Sequence, residues 1–397
     1  MQTIILILTL DLLVTGGAFA YFYFTRGVET AILAALPIFI ALSPISWWLA
    51  SYIPLYFARK TISESGITLN NKNALKTLAY INAVALPFNR VLTCNDYYVM
   101  DLVPIGMSQP SLLAMAASAE QGAENILGRA IYDTAKNRSL KISPSSDFKE
   151  FPGRGVEANV SRTLIRVGSP GWLEDFGTAI STHLRNRIDQ LLVKGRIALL
   201  VATGRVARGI ISLKDEINED AKTFLEKLTK RHIETILLTA QPKKLINRIA
   251  KEFPLNFVRT NLTPEGKARE IQVFRAKGRI VAAIGTDLND SPAMNTADVS
   301  ISLAGGTLSH SKIQNSNFDF VIPNLKSFLY VHKIARNLVG ITQINYWIAI
   351  ASWILLLPPA LLIAFNKLHV PFSPIIIIIA GAAIFYLIIA INSSRIR

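Results

Sequence analysis

The stretch that decides the fold is 285–307, GTDLNDSPAMNTADVSISLAGGT. It grows out of the apolar run IVAAIG (280–285), which reads as a buried strand. Directly after that strand stand Thr286, Asp287, Asn289 and Asp290, then Pro292-Ala293, then Ala297-Asp298-Val299. Two further strand-like runs lie upstream, TILLTA (235–240) and IALLVA (197–202). Helical patterns such as Asp220–Lys230 and Pro242–Glu252 separate them. Alternating strand and helix predicts an α/β unit with a parallel sheet and crossover helices. Ligands of such sheets sit at the carboxyl ends of the strands, so chemistry is expected at Thr239 and in the 285–290 turn.

Outside this middle region the chain becomes apolar. Of 397 residues 51% are hydrophobic and only 17% charged, too apolar for a soluble chain and too polar for one embedded throughout. Long apolar runs cover 4–24, 31–57, 344–364 and 373–392, each about as long as a bilayer requires. A second run follows the first at once, which argues against a signal peptide. Pro37, Pro44 and Pro54 interrupt the second run, and membrane helices tolerate such breaks where neighbours satisfy the freed carbonyls. Trp47, Trp48, Tyr52 and Tyr56 read as interfacial anchors. Asp11 lies inside the first run and reads either as a functional group or as a residue near an interface or a partner helix. A short loop around Lys367 and His369 joins the last two spans. Arg59, Lys60, Arg395 and Arg397 place the middle region and both termini on the cytosolic side. The net charge of +15 fits that basic face, and no motif or dense basic block points to nucleic acid. The single cysteine, Cys94, excludes an intrachain disulfide and a cysteine-based metal cluster.

The 285–307 stretch resembles the hinge motif of P-type ATPases, GDGxNDxPAL…ADVGIAMGxGT. Other matches follow in that family's order. ESGITL (64–69) and ALKTLAYINAV (74–84) look like the cytosolic exit of the helix carrying a Cys-Pro-Cys metal motif. SAEQGAEN (118–125), PGRGV (152–156) and RVGS (166–169) resemble the nucleotide-binding domain of the heavy-metal class. LKDEINEDAK (213–222), LLTA (237–240) and PEGK (264–267) resemble successive phosphorylation-domain motifs, and NSSRIR resembles the end of the last family helix. The first four helices of that class and its actuator domain find no match. The resemblance implies four membrane helices and a haloacid-dehalogenase-like phosphorylation domain with an inserted α+β nucleotide-binding domain. The implied boundaries are 1–57 and 341–397 for two transmembrane hairpins, 58–106 and 210–340 for the phosphorylation-like domain, and 107–209 for the nucleotide-binding-like domain.

The family's phosphoryl acceptor opens the motif Asp-Lys-Thr-Gly-Thr-Leu-Thr. An ungapped count from ESGI lands that motif on PFNRVLT (87–93), so Pro87 stands for the aspartate and Phe88 for the lysine. Phosphoryl transfer needs an acceptor oxygen in line with the leaving phosphate, and proline has none. The family's Thr-Gly-Asp becomes Thr239-Ala240-Gln241, and its magnesium aspartate becomes Thr286, with Asp287 at the next glycine. Mg²⁺ wants hard anionic oxygens, and two carboxylates are gone, so Mg²⁺ is not expected. Lys267, Asn289 and Asp290 are retained and read as loop-holding groups. Cys-Pro-Cys becomes Ser43-Pro44-Ile45, which removes the soft donors of a Cu(I)-type site. The Tyr-Asn pair and paired serines of later family helices fall on Ala351-Ser352 and Phe385-Tyr386. By the resemblance, Glu120, Asn125, Gly153, Gly155 and Gly168 occupy nucleotide-contact positions, the family's His-Pro being Asn125-Ile126. Glycines there either admit a nucleotide or serve local turns.

These losses lead to the expectation of a catalytically inactive P-type-ATPase-like subunit of a membrane complex, held in a bilayer and next to other membrane proteins. An ATP-driven heavy-metal transporter and a non-hydrolysing ATP sensor stand as alternatives, with ATP bound without hydrolysis as the one cofactor reading. A bacterial inner membrane is the expected location.

Overall fold

A computed structural model describes residues 2–151, 153–304, 318–364 and 374–396. Contacts divide the chain into two units, one made of residues 1–80 with 319–397, the other of residues 81–318. Gly305, Gly306 and Thr307 of the quoted stretch, Pro152, the loop at Lys367 and His369, and Arg397 lie outside the described residues.

The first unit carries four helical segments long and apolar enough to cross a membrane. The helix Gln2–Arg26 turns at Gly27 into Val28–Ala41. One side of the first helix packs inward, at Ile7, Asp11, Thr15, Ala18 and Phe22, and Asp11 is buried. Small residues Ala31, Ala34, Ala35 and Ala41 line the packed side of the second helix. That helix stops at Ala41, and a new one starts at Ile45 and runs to Glu64. Pro44 sits in the break, while Pro37 and Pro54 are kept within helices.

The third expected span, 344–364, is the second half of a helix running from Leu325 to Ala364. Its 40 residues make about 60 Å, twice the hydrocarbon thickness of a bilayer. The first half is amphipathic rather than apolar. Phe328, Val331, Ile334, Ala335 and Leu338 are buried, and Lys326, Lys333 and Arg336 are exposed. Midway along this helix, Asn345 donates through Nδ2 to Ser393 Oγ at 2.9 Å and accepts from Asn392 Nδ2 at 2.8 Å. Buried side-chain amides in a membrane helix are costly unless paired, and this pairing ties Leu325–Ala364 to the last helix, Pro374–Ser393. Trp48, Tyr52 and Tyr56 are exposed, as interfacial anchors require. Trp47 departs from that expectation, because it stacks on Tyr346 at 4.3 Å and on Trp353 at 6.0 Å inside the unit.

The second unit contains two sheets. A parallel sheet runs in the order Val299–Leu303, Val281–Gly285, Ala83–Leu86, Glu234–Leu238, Phe257–Arg259. Its strands Ala83–Leu86, Val281–Gly285 and Val299–Leu303 are buried end to end, as expected where helices cover both faces, while the edge strand Phe257–Arg259 is half-buried. The crossover helices Glu219–Lys230 and Lys243–Ala250 lie close to where the sequence pattern puts them, and a third, Pro264–Ala276, begins at the PEGK motif. Asn218 and Thr263 cap two of them, accepting from the backbone N–H of Asp220 and Gly266.

The run IALLVA is not part of this sheet. Ile197–Thr203 belongs to a six-stranded antiparallel sheet, ordered Thr93–Pro104, Val206–Ile217, Ile197–Thr203, Thr163–Gly168, Gly155–Val160, Ser145–Phe151. The tight Gly204-Arg205 connection, with Gly204 at φ +59°, makes a hairpin rather than a crossover. Side chains alternate across this sheet. Leu199 and Val201 pack toward one cluster with Leu112, Leu113 and Ile131. Ala198, Leu200 and Ala202 pack toward another with Trp172, Leu184 and Leu191. The sheet begins before residue 107 and continues past residue 209.

Candidate functional site

Three strand ends meet in the parallel sheet. Ala83–Leu86 lies between Val281–Gly285 and Glu234–Leu238, so Pro87, Thr286 and Thr239 follow neighbouring strands at one carboxyl edge. A small pocket there is lined by Leu86, Pro87, Leu238, Ile284, Lys267 and Asp290, among others. This is where the sequence pattern places the chemistry.

The charged floor of the pocket is one ion pair. Lys267 Nζ donates to Asp290 Oδ1 at 2.8 Å, and the two side chains are 10% and 5% exposed. The other carboxylate oxygen, Asp290 Oδ2, accepts from the backbone N–H of Thr286 at 3.0 Å and faces its hydroxyl at 3.4 Å. Both oxygens of the retained aspartate are therefore engaged within the chain. Asp287 has an ordinary extended backbone, φ −140°, and its side chain caps the following turn by accepting from the Asn289 N–H at 2.9 Å. Burial pushes the Asp287 carboxyl above its usual range, and the charge of Asp290 adds to this, against the pull of Lys267. The Asn289 residue is exposed, so its contribution is the main-chain bond.

Around this pair, the groups that would do chemistry are absent or turned to structure. Pro87 offers a ring of carbon. Phe88 is 3% exposed and belongs to the core. Arg90, at the glycine of the family motif, keeps a left-handed backbone at φ +63°. Asn218 ties the loop down, its N–H donating to the Leu92 carbonyl and its amide to that of Val91. Thr239 Oγ1 accepts from the Gln241 N–H at 3.1 Å, and the Leu262 N–H donates to the Thr239 carbonyl. Among the described residues no group of three His, Cys, Asp or Glu side chains could hold a metal. Proline and threonine bring no carboxylate, and the one aspartate kept from the family set is paired with Lys267, so the residues present do not fit the magnesium ion of the family site.

The nucleotide-contact positions also have internal partners. A Cβ on Gly155 or Gly168 would lie 2.6 Å from the Trp172 ring, and these two glycines face each other across adjacent strands. Both therefore make room for a buried indole. Gly153 differs: it has open space around it and a left-handed φ of +72°. Asn125 caps the helix Ile126–Asn137 by accepting from the Gly128 N–H at 2.7 Å. Glu120 is 4% exposed, and burial pushes its carboxyl up to about 8, with Glu150 adding to the rise and Asn125 opposing it. Its Oε2 has no hydrogen-bond partner. The six-stranded sheet thus gathers Glu120, Asn125, Gly155 and Gly168 into one subdomain, each with a packing, capping or burial role that the sequence alone did not separate from ligand contact.

In the first unit, Ser43 and Ser46 are buried beside the helix break, and Ser46 Oγ donates to the Ser43 carbonyl. Ile45 is exposed. This set contains no thiolate. Of the other transport-path positions, Ser352 donates to the Ala349 carbonyl of its own helix.

Residues 92–298 match the family model of haloacid dehalogenase-like hydrolases, slightly more than half of the chain. A copper-exporting P-type ATPase of Staphylococcus epidermidis is 27% identical over 278 residues, which are 70% of this chain and 34% of that protein. A probable copper-exporting P-type ATPase of Archaeoglobus fulgidus is 26% identical over 365 residues, 91% of this chain and 44% of that protein. The chain thus spans between a third and a half of the length of these curated relatives. Among solved structures, a zinc-transporting PIB-type ATPase in an E2.Pi state superposes with a TM-score of 0.71 at 21% identity, over 98% of this chain and 62% of that one. The catalytic domain of the CPx-ATPase CopB-B gives 0.54 at 24% identity, over 72% and 98%. By its matched domain the chain belongs to the haloacid dehalogenase-like hydrolase family, and its relatives and structural neighbours are heavy-metal P-type ATPases.

Proposed function

We propose that this chain is a catalytically inactive P-type-ATPase-like membrane protein, serving as a structural or regulatory subunit of a membrane complex. The observation that carries this reading is the pocket at the end of Ala83–Leu86. A proline ring stands where an acceptor carboxylate would be, and Lys267 with the Thr286 N–H engages both oxygens of Asp290, the aspartate kept from the family set. Phosphoryl transfer by this family is positioning plus electrostatic stabilisation of an in-line displacement, and it has no acceptor here. The fold itself is coherent, with two full sheets and capped helices, which fits a retained scaffold rather than a decayed one. Lipid and neighbouring membrane subunits are its expected partners, and nucleic acid is not. We place it in a bacterial inner membrane with the head and both termini cytoplasmic.

The relatives favour a second reading, an ATP-driven heavy-metal cation transporter, because those of Staphylococcus epidermidis and Archaeoglobus fulgidus are named as copper exporters. A third, a nucleotide sensor, requires only that ATP bind one conformation of the head better than another. One experiment separates the three. The full chain in detergent is titrated with a fluorescent ATP analogue, then incubated with γ-labelled ATP and Mg²⁺ and assayed for acid-stable phosphoenzyme. No phosphoenzyme and no binding supports the scaffold, and binding without turnover supports the sensor. Phosphoenzyme formed despite Pro87 refutes both and leaves the transporter.

A further inference from the structure

Asp11 is the one acidic side chain of the described membrane-spanning helices that lies away from a helix end. It sits three residues from the midpoint of Gln2–Arg26, roughly 5 Å along the axis. It is 1% exposed, on the packed side with Ile7, Thr15, Ala18 and Phe22, so it faces the interior of the unit rather than lipid. Thr15 Oγ1 donates to Asp11 Oδ1 at 3.2 Å. The other oxygen, Oδ2, is buried and has no hydrogen-bond partner. A charged carboxylate with one oxygen unmet is costly at that depth, and a neutral one is much less so.

Val28–Ala41 is the helix packed along this one, and the chain reverses between them at Gly27. Asp11 is sixteen residues before Gly27 and Ser43 is sixteen after it, so Asp11 lies near the depth of the break at Leu42–Pro44. That break is rich in acceptors. Among the described residues the Ala41 carbonyl receives no N–H, because Pro44 has none to give and the Ile45 N–H turns to the Ser43 hydroxyl. The Ser46 hydroxyl is already spent on the Ser43 carbonyl. No cation stands close by. On its own helix Asp11 is joined by Tyr21, Tyr23 and Arg26 near the opposite end, and Val28–Ala41 offers only Glu29, also at that end. The titratable groups of Ile45–Glu64 begin at Tyr52, two turns past its start. The apolar half of the long helix brings Tyr346, stacked on Trp47, and the last helix brings Tyr386, whose hydroxyl meets that of Ser43. Asp11 forms no ion pair among the described residues.

We infer that Asp11 is a proton-binding site in the membrane interior. It is neutral while Gln2–Arg26 and Val28–Ala41 are packed together, and it gives up its proton when that packing opens to water. On release the carboxyl O–H bond breaks, the proton passes to a water molecule, and the charge left behind is held by hydration instead of by the helices. The ligand is a proton rather than a metal ion because a proton needs one oxygen. A hard cation such as Mg²⁺ or Ca²⁺ needs six or more, and an Oδ2 enclosed on every side leaves no room for such a shell. The inference rests on the membrane-spanning character of the chain and not on the fate of its catalytic pocket.

The test uses the full chain in bilayer discs treated with dicyclohexylcarbodiimide, an apolar reagent that couples to protonated carboxyls, with the adduct located by peptide mass mapping. The expected result is an adduct on Asp11 that forms about tenfold more slowly for each pH unit above the midpoint of its titration. Calorimetry of Asp11→Asn is the second arm. The amide keeps the shape and carries an N–H where the neutral acid carries an O–H. The variant should melt with the unmodified chain at acidic pH and increasingly above it as pH rises. Labelling at one rate from about pH 5 to about pH 10 overturns the site, since the group then never exchanges its proton. Suppression of labelling by millimolar Na⁺ or Ca²⁺ at fixed pH overturns it in favour of a metal cation. An Asp11→Asn variant that melts lower at every pH overturns it in favour of a carboxylate that stays charged, and this arm decides alone if the reagent does not reach Asp11.

Discussion

Removing the amine of Lys267 is the sharpest perturbation of the pocket. Lys267→Met leaves the stem in place and strips the charge, so Asp290 stays buried with one oxygen still facing the Thr286 N–H and the other unpaired. Breaking a buried ion pair from one side costs about 3–5 kcal/mol. The surviving bonds to Asp290 Oδ2 put this case at the lower end, about 3 kcal/mol. A domain of this size loses roughly 2–4 °C of melting temperature per kcal/mol, so the head should melt roughly 6–12 °C lower. Scanning calorimetry of the full chain in detergent measures this. The partner variant decides the cause. Lys267→Met with Asp290→Asn removes the stranded charge and keeps an oxygen for the Thr286 N–H, so it should regain more than half of the loss. If Lys267→Met costs only the half kcal/mol or so typical of a surface change, or if the pair is no better than the single variant, the ion pair is not what holds this loop.

Two further outcomes follow from the six-stranded sheet. Gly168→Ala drives a methyl into the Trp172 ring, and overpacking of this kind costs about 1–3 kcal/mol; the loss should appear in calorimetry with no nucleotide present, and a variant that loses only nucleotide affinity would contradict the packing role. Glu120 carries a folded-state carboxyl near 8 against an ordinary value of 4.5, so the native state holds its proton more tightly than the unfolded chain. The stability this gives is complete below about pH 4.5 and is lost as pH rises toward about 8, a span worth roughly a few kcal/mol. Glu120→Gln should flatten that part of the profile, measured by denaturant unfolding across the range, and an unchanged slope would place the titration elsewhere.

Much of this is legible in the sequence. The strand–turn pattern at 280–290 and the helices at 220–230 and 242–252 carry periodicity strong enough to place one strand of the parallel sheet and two of its crossover helices. Ile197–Thr203 was legible as a strand and not as a member of its sheet, because an apolar run carries no direction; the two-residue turn after it held the missing signal. The first half of Leu325–Ala364 escapes a hydropathy reading because its exposed lysines and arginine dilute an amphipathic stripe. Trp47 could not be told from an anchor, since its stacking partners Tyr346 and Trp353 are some three hundred residues away. In the pocket, Lys267 and Asp290 were each visible, but their bond spans a helix and a turn 23 residues apart. Asn125 did carry a local sign of its role, an amide side chain just ahead of a helical run.

The break at Leu42–Pro44 has a mechanical consequence. The Leu42 N–H still reaches the Ile38 carbonyl and the Ser43 N–H that of Ile40, and the next rung starts afresh with Trp48 donating to Pro44. Between them the Ile45 N–H turns to the Ser43 hydroxyl instead of the main chain. A rod interrupted in this way can flex at the gap without tearing a rung, and the 40-residue helix beside it has its own weak point at Pro358-Pro359, where two N–H donors are missing. The unit therefore pairs two struts that yield at different places, one at Leu42–Pro44 and one at Pro358-Pro359. Load placed on either end of the first strut is taken up at Ser43, whose hydroxyl stands in for a missing main-chain partner.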